Sequence, residues 1–159
     1  MVTLRNLLEV PGWKKLLLQC LMSERHMVWL ADHERTFNSM MDAVDTVQWE
    51  DGVFAGWAVI QNDRYVGCIW GERFDDEFYA DWFFDEGVSG QAKVHTVKLA
   101  EREIQDLGCS KISGIIRADN RPSLVLARYV GYRVESTLQK VCQGTPKAYK
   151  KVVKGWPSM

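Results

Sequence analysis

The sequence predicts an α/β fold of the α+β kind, in which a mixed, mostly antiparallel central sheet is flanked by helices in the order ααβββαβαββ. Three observations predict it. Apolar residues recur at helical spacing in the first 50 positions. Three runs rich in aromatic and β-branched residues follow between Val53 and Phe84, separated by short polar turns. Beyond them, helix-type and strand-type patterns alternate and are punctuated by Gly108 and Gly131. With 47% hydrophobic and 26% charged residues in 159, the chain can build one core and is too apolar to be disordered. No repeat, low-complexity tract or Gly/Ser linker divides it. One domain over 1–159 is expected, with a helical N-terminal part (1–50) and a sheet-bearing core (51–154).

Pro11 suits a first helical turn, and GWKKLLLQCLM after it carries apolar residues at helical spacing. A second helix is expected from His33 to Val47, with Asp32 able to cap it and Phe37, Met40, Met41 and Val44 on one face. After Asp51-Gly52 the period changes. Val53 to Ile60 and Tyr65 to Gly71 read as a hairpin around Gln61-Asn62-Asp63, and Phe78 to Phe84 adds a third strand after Asp75-Asp76. A turn at Gly87-Val88-Ser89-Gly90 then leads into a helix from about Gln91 to Leu107 that Gly108 closes. Its apolar stripe is Val94, Val97, Ala100, Ile104 and Leu107. The strand Lys111 to Arg117 is followed by a helix opened by Asn120, with Pro122 in its first turn and Gly131 at its end. Tyr132 to Val141 and Ala148 to Lys154 are the last strands.

No apolar run approaches the roughly 20 residues of a bilayer span. The start lacks the basic, apolar and small-residue order of a signal peptide, so a cytoplasmic protein is expected. Cys20, Cys68, Cys109 and Cys142 form no CxxC pair and read as buried thiols. No Cys lies near His26, His33 or His95 at ligand spacing, which argues against zinc. A net charge of −1 gives no electrostatic case for a nucleic acid partner. The charge is uneven, however. Glu72 to Glu86 holds seven acids against Arg73 alone, while Lys140, Lys147, Lys150, Lys151 and Lys154 gather near the end.

The segment Asn120-Arg121-Pro122-Ser123, leading to Val130-Gly131-Tyr132, falls in the register N-x-x-A/S…G-aromatic. With the βββαβαββ order, it makes the chain from Val53 to Lys154 resemble the GNAT superfamily of N-acetyltransferases. That resemblance implies acetyl-CoA as cosubstrate and a primary amine, on a small molecule or a protein, as acceptor. It further implies that the turn before the long helix holds the coenzyme pyrophosphate on backbone amides, as helix N-termini hold anions generally. The implied cofactor-binding residues are Phe84, Val88, Ser89, Gly90, Gln91, Ala92, Lys93 and Asn120. Gly90 and Ala92 keep the small positions of the family's Q/R-x-x-G-x-G/A turn, whereas Gly87 stands where the family has Gln or Arg.

For the chemistry, a carboxylate on the central strands is needed to take the amine's proton. Asp81 is the first candidate, since alternation puts it on one face with Tyr79 and Phe83, and Glu72 is the second. The family's Tyr, seven residues after the Asn, is here Ala127. Tyr129 lies about 200° further round the helix and points elsewhere, and Tyr132 reads as core. Trp57, Trp70 and Trp82 are assigned first to core packing. The departures at Gly87 and Ala127 keep open an inactive structural or interaction module. The chain is also similar in layout to GNAT-like virion or head-assembly proteins of tailed bacteriophages, which would make virion proteins its partners.

Overall fold

The computed structural model describes residues 1–29 and 54–156. The helix expected at 33–47 lies outside them. Numbered along the described chain, the elements begin with strand β1 (Val2–Asn6), a 3₁₀ turn (Leu7–Glu9), α1 (Trp13–Met22) and α2 (Glu24–Met27). The meander follows as β2 (Phe54–Gln61), β3 (Arg64–Phe74) and β4 (Glu77–Phe84). Then come α3 (Gly90–Asp106), β5 (Lys111–Arg117), α4 (Arg121–Tyr129), β6 (Arg133–Cys142) and β7 (Thr145–Gly155).

The strands form one seven-stranded sheet in the order β1-β2-β3-β4-β5-β7-β6. Every neighbouring pair is antiparallel except β4 with β5. The mixed, mostly antiparallel sheet and the element order after residue 53 agree with the sequence reading. β1 is the difference, since the reading placed no strand before Pro11. It pairs from Val2↔Gln61 to Asn6↔Trp57. Five residues are too few for their alternation to stand out against background.

The hairpins turn where short polar residues tolerate left-handed backbone. Asn62 and Asp63 both have positive φ, as do Gln143 and Gly144 at the β6–β7 turn. One face of the sheet packs Leu7, Leu17, Cys20, Phe54, Ala58, Cys68 and Trp70 beneath α1. The other packs Trp57, Ile69, Phe78, Ile112 and Val152 against Val97, Ala100 and Ile104 of α3 and Leu124 and Ala127 of α4. Trp57 and Trp70 are core residues, as expected. All four cysteines are buried thiols, and the Cys20 and Cys68 sulfurs lie 3.6 Å apart. The hydrogen bond to Cys20, with burial, pushes the Cys68 thiol far above its ordinary range, so this pair is inert packing.

Candidate functional site

The one parallel pairing in the sheet is short. β4 and β5 pair only at Glu77↔Lys111, Phe78↔Ile112 and Tyr79↔Ser113. Beyond Tyr79 and Ser113 the ladder stops, and a cleft occupies the space, lined by Ala80 to Phe84 on one side and Gly114 to Arg117 on the other. Gly114 sits at the fork, where an added Cβ would lie 3.3 Å from the Ala80 carbonyl oxygen. Asp85 N–H donates to Val66 O on β3. Backbone groups of successive strand residues point to opposite sides, so those of Phe84 and Trp82 point into the cleft. Arg25 Nη1 confirms this direction by donating to Phe84 O at 2.8 Å. The amides of Trp82 and Phe84 therefore lie on the side of β4 turned away from β3.

Side-chain alternation divides the cleft into two halves. Asp81 and Phe83 project to the α1–α2 face, together with Ser113, Ile115 and Arg117, and Arg25, His26 and Trp29 close that half. Trp82 and Phe84 project to the α3–α4 face, where Asn120, Ser123, Leu126 and Tyr132 complete the wall. None of Arg25, His26 and Trp29 was singled out for this site from the sequence, because nothing local in that segment signals a strand more than 50 residues away.

The first half is built by ties between distant segments. Arg117 is 9% exposed and forms a bidentate pair with Asp119, Nε to Oδ1 at 2.6 Å and Nη2 to Oδ2 at 3.1 Å. Its guanidinium lies 4.5 Å from the Trp29 ring centre and donates to Val28 O, while Tyr149 Oη donates to Trp29 O at 2.9 Å. These bonds fix Trp29 as a wall. His26 meets Trp70 and Phe83 edge-on at 5.6 and 6.2 Å. Burial lowers its pKa to about 4, so the imidazole is neutral at physiological pH.

In the second half, Asn120 caps α4, its Oδ1 accepting from Ser123 N. Trp82 Nε1 donates to Ser123 Oγ at 3.5 Å, and the Trp82 ring stands edge-on to Tyr132 at 6.2 Å. Trp82, assigned to the core from the sequence, therefore reaches from β4 to α4 on the cleft wall. Tyr132 is 5% exposed and its hydroxyl has no partner among the described residues. Burial, aided by Glu101, pushes that phenol well above its ordinary range. Tyr129 is exposed and Ala127 wholly buried.

Past Phe84, the last β4 residue on the cleft wall, the chain turns into the N-terminus of α3. Ser89 caps this helix, its Oγ accepting from Ala92 N at 3.1 Å, and Ser89 O accepts from Lys93 N. Val88 is buried in the core, and its N–H donates to Asp85 O. The Gly90 and Gln91 amides of the first turn have no acceptor among the described residues, and nothing lies within 4 Å of a Cβ built on Gly90. Lys93 Nζ lies over the Phe84 ring at 5.9 Å. Glu72 is exposed on β3, paired with Phe54 and Tyr79, and does not line the cleft, whereas Asp81 does.

The acidic stretch and the basic tail meet on the sheet. Lys111 and Lys151 each bridge Glu77 and Glu135 at 3.4 to 3.7 Å. Burial disfavours the Glu77 carboxylate, but hydrogen bonds from Ser113 and Tyr79 and the charges of Lys151 and Lys111 outweigh it and lower its pKa. Among the described residues no group of His, Cys, Asp and Glu side chains can hold a metal, and no helix is long and apolar enough to cross a membrane.

No protein-family model matches the sequence, and no curated protein matches it either. Solved structures match its fold. Spermidine N-acetyltransferase from Vibrio cholerae, in complex with CoA and spermine, superposes with a TM-score of 0.79 at 13% identity, over 97% of this chain and 95% of that one. RimJ of Mycobacterium smegmatis, in complex with CoA-disulfide, gives 0.73 at 14% identity, over 97% and 81%. A GNAT-family acetyltransferase from Streptococcus pneumoniae gives 0.73 at 11% identity, over 99% and 100%. The chain has the fold of the GNAT-type N-acetyltransferases.

Proposed function

We propose that this protein is an N-acetyltransferase that moves the acetyl group of acetyl-CoA to a primary amine on a small molecule or a protein. The observation that carries this reading is the fork between β4 and β5, with the Trp82 and Phe84 amides turned into it. An acylated pantetheine arm is a slender chain bearing amides and a thioester. It fits a gap whose wall turns strand amides toward it. A coenzyme in the gap would extend past Phe84 to the first turn of α3, where the Gly90 and Gln91 amides suit a pyrophosphate and Lys93 adds positive charge. Asn120 borders the coenzyme half. The structures of the Vibrio and Mycobacterium proteins contain CoA or its disulfide, which supports the same cosubstrate here.

In the reaction the neutral amine enters from the half holding His26, Trp29 and Asp81 and attacks the thioester carbonyl. The C–N bond forms, and the Trp82 and Phe84 amides stabilise charge on the oxygen. The C–S bond then breaks with its electron pair going to sulfur. Asp81 takes the proton that the new amide nitrogen sheds, directly or through water. His26, neutral and walled by aromatic rings, shapes the pocket.

Calorimetric titration with acetyl-CoA tests the reading, followed by mass-spectrometric screening of primary amines for acetylation. One-site micromolar binding is expected, and its loss in Gly90→Glu with the circular dichroism spectrum unchanged. A native protein that ignores millimolar acetyl-CoA would overturn it.

A further inference from the structure

The half of the cleft opposite α3 and α4 is lined by two guanidinium groups, and their bonding separates them. Arg117 is fully engaged. Asp119 accepts from its Nε and Nη2, Val28 O and Cys142 Sγ accept from its Nη1, and its flat face lies on the Trp29 ring. Arg25 is different. Its Nη1 donates to Phe84 O at 2.8 Å, and its guanidinium lies over the Phe83 ring at 5.7 Å. No carboxylate among the described residues pairs with it, and the residue is exposed on the cleft wall. A guanidinium carries five N–H donors in a rigid fork, so most of them stay open on a group already held at two points. The ligand group that matches such a fork is a carboxylate, through two parallel hydrogen bonds.

Position sets the spacing of the ligand. Arg25 is tied to the carbonyl of Phe84, and the N–H of the same residue is one of the two amides assigned above to the thioester oxygen. The fork and that amide are therefore within one residue's rise of each other, about 3.3 Å. A carboxylate on the fork lies only a few bonds from the attacking nitrogen, as in an α-amino acid and not in a long ω-amino acid. Asp81 stands three residues back along β4, roughly 10 Å between Cα atoms, which keeps its charge away from that carboxylate. The other surfaces of this half are the Phe83 and Trp29 rings and the neutral imidazole of His26, which suit an apolar side chain.

We infer that the acceptor is a free apolar α-amino acid and that Arg25 binds its carboxylate through the fork left open beside Phe84 O. This rests on the acetyl-CoA reading above. A peptide N-terminus offers the fork an amide in place of an oxyanion, and a polyamine offers it only like charge.

The test compares kcat/KM at saturating acetyl-CoA for acceptors that differ only in the carboxylate. The pairs are leucine with 3-methylbutylamine and phenylalanine with 2-phenylethylamine, and phenylalaninamide stands for a peptide N-terminus. The native protein is expected to prefer the amino acid of each pair by about 10- to 100-fold. Arg25→Gln brings that ratio near one, and Arg25→Lys, which keeps the charge but not the fork, gives an intermediate ratio. If Arg25 only ties α2 to β4, Arg25→Gln lowers both members of a pair equally and the ratio is unchanged, which would overturn the assignment. A native preference for the amines or for phenylalaninamide would overturn it too, as would acetylation of none of these acceptors by a protein that binds acetyl-CoA. Failure to bind acetyl-CoA in calorimetry overturns the acetyl-CoA reading itself, so the two failures are distinguishable.

Discussion

His26 gives the stability of this protein a specific acid sensitivity. Its imidazole sits between Trp70 and Phe83, and burial lowers its pKa to about 4, against an ordinary value near 6.5. In the unfolded chain it takes a proton as pH falls through about 6.5, whereas in the folded protein it stays neutral until about 4. Folding then excludes a proton that the unfolded state binds, so stability is present above the unfolded pKa and is lost as pH falls through that window. At pH 5 the full shift corresponds to about 2 kcal/mol, and the partial exposure of the ring reduces this to ~1–2 kcal/mol. For a chain of this size that is a lowering of roughly 2–8 °C in Tm between pH 7.5 and pH 5. The assay is chemical denaturation across that range for the native protein and His26→Gln. The variant loses ring contacts and is less stable throughout, but its stability falls less steeply with acid by this amount. Parallel curves would refute the burial argument.

Two further perturbations test the site and the ion pairs. Asp81→Asn is expected to slow amine acetylation by about 10²-fold or more, with acetyl-CoA affinity unchanged in calorimetry; an undiminished rate removes Asp81 as the base. Lys154→Met strands the Glu101 carboxylate, which is 7% exposed and held by Lys154 Nζ at 2.8 Å. A loss of roughly 3 kcal/mol in urea denaturation is expected, and a loss under 1 kcal/mol would mean that Glu101 finds water.

The meander, α3, β5 and α4 were legible because their signals are local. Strands alternate around short polar turns, Ser89 and Asn120 cap the helices they precede, and Gly108 and Gly131 end them with positive φ. β1 was not legible, since its identity depends on a β2 edge more than 50 residues away. On the α4 side of the cleft the Asn120 cap was legible, because capping is a local hydrogen bond. The other half was not. Arg25, His26 and Trp29 reach it through ties to Phe84, Arg117 and Tyr149, and long-range ties leave no spacing to count. Trp82 packs against the core as read and also stands on the cleft wall; alternation gives its face but cannot say that the strand beside it has peeled away.

The uneven charge has a similar origin. A run of acids and a run of lysines far apart in sequence invite separate partners, one cationic and one acidic. In the sheet, the β4 acid Glu77 lies within reach of Lys111 and of Lys151 on β7, and Glu135 on β6 closes the group. The network stands at the paired end of β4 and β5, next to Tyr79 and Ser113, where the parallel ladder is intact. The opposite end of the same two strands is open. Cross-strand charges that hold one end together therefore leave the parting of the strands confined to the other, which is where the coenzyme arm of the proposed reaction would need room. The paired lysines are held by carboxylates within the fold and need no acidic partner to balance them.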